Sequence, residues 1–161
     1  MTDTERTRAS VLQFNQARER NDTDAVAALL TEDVEWHPPQ SIRPRPFRGR
    51  DRVAKALTGG TTGNILQAGS IEREVVMVVA DGDTAIVRQL MRATRVDGEA
   101  YSNDYCWVYT FLDGLIIRMD EYGDTLLIAR AGFVPLLPAN DSPSASGANG
   151  TLAAASTTEQ I

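Results

Sequence analysis

The spacing of apolar residues along the chain changes once, from a helical repeat to a strand repeat. The segment TRASVLQFNQARERND places Val11, Phe14 and Ala17 near one helical face, so it predicts a first helix. The segment DTDAVAALL predicts a second helix, for which Asp22 or Thr23 would serve as the N-cap. The N-terminal part of the chain is therefore predicted to be helical.

Strands dominate the second half of the predicted fold. After the short strand VEWH and a proline-rich loop, RDRVAKALTGG predicts a third helix that ends at Gly59 and Gly60. Acidic residues followed by glycine then separate apolar runs in DGD, VDG and LDG, a pattern typical of β-hairpin turns. The chain is thus predicted to be an α+β protein with a four-stranded antiparallel meander. The meander strands are expected at Ile71–Ala80, Thr84–Val96, Tyr101–Leu112 and Leu115–Tyr122.

Composition sets the expected domain boundaries and argues against some partners. At 161 residues the chain has the length of one domain, expected over 5–137, and the Ser-, Ala- and Thr-rich tail 138–161 is expected to be disordered. The net charge of −6 argues against nucleic acid or an anionic membrane surface as a partner. The apolar runs are too short to cross a bilayer and the charged N-terminus differs from a secretory signal, so a cytoplasmic location is expected.

Few residues are available for metal or thiol chemistry. Cys106 is the only cysteine and lies within an apolar strand, which favours a buried thiol over a nucleophile. His37 is the only histidine, so a metal cluster of several His and Cys ligands is not expected. We therefore expect neither a metal nor a cofactor. The question becomes whether His37 is a catalyst or only a residue at the end of a strand.

Three segments of the chain resemble a known family. LLTEDVEWHPP, FRGRDRVAKAL and YSNDYCWVYTFLDGLIIRMDEYGDT, which together span most of residues 8–130, are similar to the SnoaL-like branch of the nuclear transport factor 2-like superfamily. That branch includes polyketide cyclases and relatives of ketosteroid isomerase, although the same fold also hosts binding modules and assembly domains. The resemblance implies a cone, in which a curved antiparallel sheet packs against three N-terminal helices and leaves a cavity at its open end.

Strand parity indicates which side chains would face such a cavity. In the third meander strand the odd-numbered residues 101–111 share one face, and the resemblance implies that this largely aromatic face looks inward. Aromatic rings with polar groups among them suit a flat, mostly apolar ligand, and core packing is the alternative explanation. The arginine-rich loop SIRPRPFRG is expected either to cover the cavity mouth or to be a solvated loop. The predicted substrate-binding residues are Phe14, Trp36, Met91, Asn103, Tyr105, Trp107 and Met119.

Three ionisable residues are the predicted catalytic groups. Glu121 ends the apolar parity of the last strand, and a carboxylate in an apolar cavity has its pKa raised toward neutrality, which suits acid or base catalysis. The resemblance places His37 where ketosteroid isomerase relatives carry a catalytic aspartate, and Glu35, on the same strand face, would orient its ring. Asp124 is predicted either to join the site or to cap a short helix.

Other positions depart from the enzymes of the family. Phe14 stands where the isomerase relatives carry an oxyanion-stabilising tyrosine, and the second meander strand lacks the Arg-x-Asp pair of the epoxide-hydrolase relatives. We therefore expect a cofactor-independent enzyme for acid/base chemistry, namely cyclisation, isomerisation or dehydration, on a hydrophobic oxygenated small molecule. An epoxide hydrolase of the same fold and a non-catalytic module that binds small molecules are the alternatives.

The outer face of the sheet is the predicted contact of a homodimer. Apolar residues on that face alternate with two arginines, which suits the pairing of two sheets, and a solvated sheet face would show the same mixture. The residues expected to point outward are Ile86, Arg88, Leu90, Arg92, Val108 and Ile116.

Overall fold

The computed structural model describes residues 2–60 and 62–133. The expected disordered tail 138–161 and the end of the expected domain lie outside these ranges. None of the helices within them is long and apolar enough to cross a bilayer. The helices are α1 (Asp3–Glu19), α2 (Thr23–Ala27), α3 (Arg50–Lys55), which continues into a π-helical turn (Ala56–Gly60), and α4 (Thr125–Arg130). The strands are β1 (Leu30–His37), β2 (Phe47–Arg48), β3 (Glu72–Asp81), β4 (Thr84–Thr94), β5 (Ala100–Leu112) and β6 (Leu115–Tyr122).

One curved sheet of six strands forms the centre of the fold, in the order β2-β1-β6-β5-β4-β3. Strands β3 to β6 form the predicted antiparallel meander, and three helices precede it, so the predicted α+β architecture is confirmed. In the hairpin between β5 and β6, Asp113 and Gly114 have φ of 51° and 83°, which is the backbone of a type I′ turn. The acidic residue followed by glycine thus marks the turn, as the sequence predicts.

Strand β1 is the main difference from the predicted layout. It begins at Leu30, where the second helix was expected to continue, and it is longer than the four-residue strand predicted from VEWH. It pairs with β6 in parallel, with Trp36 opposite Met119, and the sequence pattern predicts no pairing for this strand. Leu30, Val34 and Trp36 are buried along one side of this strand, and their burial requires an extended backbone there.

Helix α1 packs against the sheet with a stripe that is partly polar. A capping box between Thr2 and Glu5 starts the helix, which then buries the stripe against β3 and β4. Within the stripe, the Asn15 amide donates to the Val11 carbonyl at 2.8 Å and accepts from the Gln89 amide at 3.1 Å. The hydrogen bond from Gln89, which lies on β4, fixes the rotation of α1 on the sheet. The buried residues of α1 are Thr7, Val11, Phe14, Asn15, Ala17 and Arg18.

A β-bulge in β6 changes which side chains of that strand face inward. Thr110 pairs with Arg118 and Phe111 pairs with Ile116, so Ile117 is the extra residue between the two pairs. Ile116 is consequently fully buried, and its predicted place on the outer face is wrong. Beyond the bulge the predicted parity is restored, because Met119 is buried and Glu121 lies on the same inner side.

Candidate functional site

A cavity of about 510 Å³ lies against the inner face of the sheet. It is bounded by α1, by the π-helical turn after α3 and by the proline-rich loop that follows β1. Its volume falls in the range of pockets that hold small organic molecules. Five of the sequence-predicted site residues line it, namely Trp36, Met91, Tyr105, Trp107 and Glu121.

Glu121 is the carboxylate on the cavity wall. It lies opposite Trp107 in the β5–β6 register, and one of its oxygens, Oε2, accepts a hydrogen bond from the indole nitrogen of Trp36 at 2.9 Å. Burial raises the pKa of Glu121 from 4.5 to about 7, against the smaller opposing effects of the Arg18 charge and the Trp36 hydrogen bond. A carboxyl group with this pKa can release or accept a proton near neutral pH.

Aromatic rings form the apolar walls around Glu121. The rings of Trp36 and Phe47 are stacked, with centroids 4.7 Å apart and an interplanar angle of 14°. The Trp107 ring lies 6.0 Å from Trp36 and 6.4 Å from Tyr105, so a continuous aromatic surface runs from β1 across to β5. Such a surface favours a flat ligand over a globular one.

A chain of hydrogen bonds ends at Tyr105 on the cavity wall. The Asn103 amide donates to the Tyr101 hydroxyl at 3.2 Å, and the Tyr101 and Tyr105 hydroxyls are 2.7 Å apart. Burial raises the pKa of both tyrosines, so their hydroxyls stay protonated at neutral pH. A Cβ atom on Gly123 would lie 2.9 Å from the Tyr105 ring, so glycine leaves the space that this ring occupies.

Asn103 and Asp124 have structural partners instead of a place on the cavity wall. The Asn103 side chain donates to the Asp124 carbonyl at 3.1 Å and accepts from the Asp124 backbone N–H at 3.2 Å. The bonds to Tyr101 and to the Asp124 carbonyl use both N–H donors of the Asn103 amide, so none is left for a ligand. The Asp124 carboxylate caps α4 by accepting from the backbone N–H groups of Leu126 and Leu127. Of the two predicted roles for Asp124, the structure shows the cap.

His37 lies on the opposite side of the sheet from the cavity. Adjacent residues of a strand point to opposite faces, and Trp36 occupies the inner position, so His37 points outward. Its Nε2 atom is 2.7 Å from Glu35, which also pairs with Arg48 at 2.8 Å. The sequence predicts that His37 faces Glu121 across the cavity, and this prediction is wrong. The side chain that contacts Glu121 is Trp36. Among the described residues, no group of three or more His, Cys, Asp and Glu side chains is placed to hold a metal ion.

Helix α1 contributes Arg18 to the cavity and keeps Phe14 in the core. Phe14 is fully buried, with its ring 5.6 Å from that of Tyr109 in an edge-on contact, and it does not line the cavity. Met119 is likewise a fully buried core residue. Arg18 follows Phe14 by four residues and Val11 by seven, so it belongs to the same buried stripe. That spacing places Arg18 on the stripe but does not show whether its guanidinium reaches solvent or the cavity, so Arg18 was not predicted as a site residue.

Three further arginines line the cavity without having been predicted as site residues. Arg73 lies on the inner side of β3 opposite Met91, a position that strand parity could have shown. Arg43 and Arg45 belong to the proline-rich loop, and the Arg43 guanidinium lies 4.0 Å from the centre of the Phe47 ring. The loop therefore borders the cavity, which is one of its two expected roles.

Comparison with known proteins gives similarities of family and fold. The family model described as SnoaL-like domain matches residues 11–119. No curated protein matches the chain. A nuclear transport factor 2-like protein from Burkholderia xenovorans is 23% identical, with a TM-score of 0.64 over 80% of this chain and 96% of that one.

Two other solved structures carry names that refer to activities. A provisionally assigned ketosteroid isomerase from Kribbella flavida is 25% identical, with a TM-score of 0.61 over 76% of this chain and 81% of that one. An LEH-like epoxide hydrolase from M. tuberculosis is 21% identical, with a TM-score of 0.61 over 80% of this chain and 90% of that one. The second of these likenesses concerns the fold alone.

The raised pKa of Glu121 predicts a pH-dependent stability difference between the wild type and Glu121→Gln. Below about pH 4.5 both the folded and unfolded chains hold this proton, and between 4.5 and 7 only the folded chain does, so wild-type stability falls as pH rises. Glutamine keeps an oxygen for Trp36 without the buried charge. We expect Glu121→Gln to be more stable than the wild type by up to roughly 3 kcal/mol near pH 8 and about equal to it near pH 4.

Urea unfolding at the two pH values measures this difference. The matched control is Glu99→Gln, which makes the same change at an exposed turn and should track the wild type at both. If the stability difference between Glu121→Gln and the wild type is the same at pH 4 and pH 8, the Glu121 carboxyl does not have a raised pKa.

Proposed function

The chain belongs to the SnoaL-like domain family, and on that premise we propose that it is a cofactor-independent enzyme that transfers a proton on a hydrophobic, oxygenated small molecule. The observation that supports this most is Glu121, an acid with a pKa of about 7 on the wall of an aromatic cavity. The ideal catalytic acid or base has a pKa near the working pH, because both of its protonation states are then accessible. A carboxylate with this property in a cavity of ligand size is a candidate catalytic group.

Glu121 acts as the base in this proposal, and Tyr105 stabilises the charge that develops. The carboxylate removes a proton from a carbon next to a carbonyl group, and the electron pair of the C–H bond moves to the carbonyl oxygen. The neutral Tyr105 hydroxyl, backed by Tyr101 and Asn103, donates a hydrogen bond to that oxygen. In this proposal Tyr105 supplies the hydrogen bond that stabilises the oxyanion. Phe14 cannot supply it, because its side chain has no donor.

The protonated Glu121 then completes the reaction. Returning the proton to a different carbon gives isomerisation, and giving it to a β-hydroxyl group lets water leave, which is dehydration. Attack of the enolate carbon on a second carbonyl of the same molecule gives cyclisation. All three reactions use one acid/base group and one oxygen-stabilising donor.

Hydrolysis of an epoxide is less well supported than proton transfer. The expected alternative requires two acids, or an acid and a histidine, on either side of one water molecule. Of the described residues on the cavity wall, Glu121 is the only carboxylate, and His37 faces the other side of the sheet. This arrangement favours chemistry that needs a single acid/base group.

Replacing Glu121 tests the proposal directly. Glu121→Gln keeps the shape of the side chain but cannot take a proton, so we expect turnover to fall by about a hundredfold or more. The assay is a screen of enones, β-hydroxy ketones and epoxides with the wild type. The kinetics of the wild type and of Glu121→Gln are then compared on any substrate found. For a substrate whose proton is removed by Glu121, wild-type kcat/KM should rise as pH increases through about 7.

Two control variants separate this mechanism from the one expected from the sequence. Glu35→Gln makes the same substitution on the outer face of β1, and His37→Ala removes the only histidine. Both should keep wild-type turnover. Full activity in Glu121→Gln, or loss of activity in His37→Ala with Glu121→Gln unaffected, would contradict the proposed role of Glu121.

We also propose that two copies of the chain pair through the outer face of the sheet. Met77 and Val79 on β3 are 46% and 50% exposed, and Ile86 and Leu90 on β4 are only partly buried beside them. Val108 continues this apolar strip onto β5. Exposed apolar surface of this kind commonly marks a protein interface.

A charge in this strip should separate the proposed dimer. Val79→Glu introduces an unpaired carboxylate at the contact, so we expect a mass of 17.5 kDa for the variant and twice that mass for the wild type in light scattering coupled to size exclusion. The control is Val96→Glu, at a residue that is 58% exposed in the turn between β4 and β5. A monomeric wild type would refute the dimer.

A further inference from the structure

Two arginines on the cavity wall have no ion-pair partner among the described residues. Arg18 is only 4% exposed, and its Nε and Nη1 atoms are buried without a hydrogen-bond acceptor. The Nη1 atom of Arg73 is in the same state. A buried N–H group without an acceptor is costly, and most of all when it is charged. Both residues also line the cavity, where a ligand that brings an acceptor would satisfy them.

The two guanidinium groups lie close enough to act on each other. Burial, and after it the charge of Arg18, lowers the pKa of Arg73 to about 10, with a smaller opposing effect from Glu19. Arg73 therefore keeps its positive charge at neutral pH. Two like charges held in one buried region repel each other, and an anion placed between them would relieve that repulsion.

The charge of the cavity wall is opposite to that of the chain. Among the residues that the structure describes, the wall contains four arginines, Arg18, Arg43, Arg45 and Arg73, and one carboxylate, Glu121. The whole chain has 22 acidic and 16 basic residues. Several arginines outside the cavity are paired with acids, as Arg88 is with Asp104 and Arg118 with Asp120. Concentrating unpaired positive charge in a cleft attracts anions to that cleft.

The apolar part of the wall limits what kind of anion fits. Arg18 lies against the face of Trp107, with 4.4 Å from the guanidinium carbon to the ring centroid. The charged region is thus joined directly to the aromatic surface of Trp36, Phe47 and Trp107. A ligand that meets both regions has a flat ring system with an acidic group attached to it.

We propose that the cavity binds a planar organic anion, a carboxylate or an acidic enol on an apolar ring system, whose negative charge lies against Arg18 and Arg73. This substrate class rests on the acid/base function proposed above, because the same molecule would present its reactive carbon to Glu121. Inorganic anions lack the ring and would bind weakly.

Calorimetric titration with two probes of the same shape tests the charge preference. The probes are 2-naphthoate, which is an anion, and 2-naphthamide, which is neutral, each titrated into the full chain at about pH 6, where Glu121 is largely protonated. We expect the wild type to bind naphthoate at least about tenfold more tightly than naphthamide. Equal affinity for the two probes, or no binding of naphthoate at millimolar concentration, would overturn the proposal.

Variants of the arginines identify the source of the preference. Arg18→Met and Arg73→Met should each reduce the preference for naphthoate by about tenfold while leaving naphthamide binding in place, which also shows that the cavity is still formed. Arg18→Lys should keep much of the preference, because it keeps the charge. The matched control is Arg92→Met, at an exposed arginine on the outer face. An unchanged preference in Arg18→Met and Arg73→Met would assign it to other residues and overturn the proposal.

Glu121→Gln separates the failure of this proposal from the failure of the proposed function. The variant should bind naphthoate about as tightly as the wild type at pH 6, where the Glu121 carboxyl is largely protonated and adds little charge to the cavity, while losing turnover. Loss of turnover without any preference for naphthoate would refute the anionic substrate alone. A strong preference together with full turnover in Glu121→Gln would refute the role of Glu121 alone.

Discussion

The parallel pairing of β1 with β6 is the constraint on which the site depends. It sets Trp36 opposite Met119 and therefore on the inner face, where its indole nitrogen reaches Glu121. A shift of this register by one residue would move Trp36 to solvent and His37 into the cavity, since side chains alternate strictly along a strand. The aromatic wall, the hydrogen bond to Glu121 and the outward position of His37 all follow from this one pairing.

Helix α1 shows how polar groups in the core can position a site. Its rotation is fixed by Asn15 and Gln89, whose amides pair where apolar residues would have packed without direction. That rotation carries Arg18 to the cavity, one turn beyond Phe14. Hydrogen bonds in a core specify geometry more sharply than apolar contacts do, because each needs its partner at one distance and angle. The buried hydrogen bond between Asn15 and Gln89 thus sets the position of Arg18, although burying an unpaired arginine lowers the stability of the fold.

The sequence predicts the elements that depend on local periodicity. The meander, its turns and the inward aromatic face of β5 follow from alternation and from glycine placement, and Glu121 follows from the same rule. Prediction fails where one residue changes the parity. The bulge at Ile117 buries Ile116, and the resemblance to isomerase relatives selects His37 although its neighbour Trp36 faces inward. Arg18 is missed for another reason, because an arginine on an apolar stripe looks the same in sequence whether its head reaches solvent or a cavity.

Gly123 gives the cavity a steric control that is independent of its charges. Its backbone does not require glycine, since its φ lies outside the left-handed region, and the space beside it is filled by the Tyr105 ring. Adding a single methyl group would therefore reshape the wall next to the Tyr105 ring without replacing any arginine or acid of the cavity. The size of the molecules that the cavity admits can therefore change separately from the charges on its wall. Position 123 is accordingly a starting point for altering, by design, the range of molecules that the cavity admits.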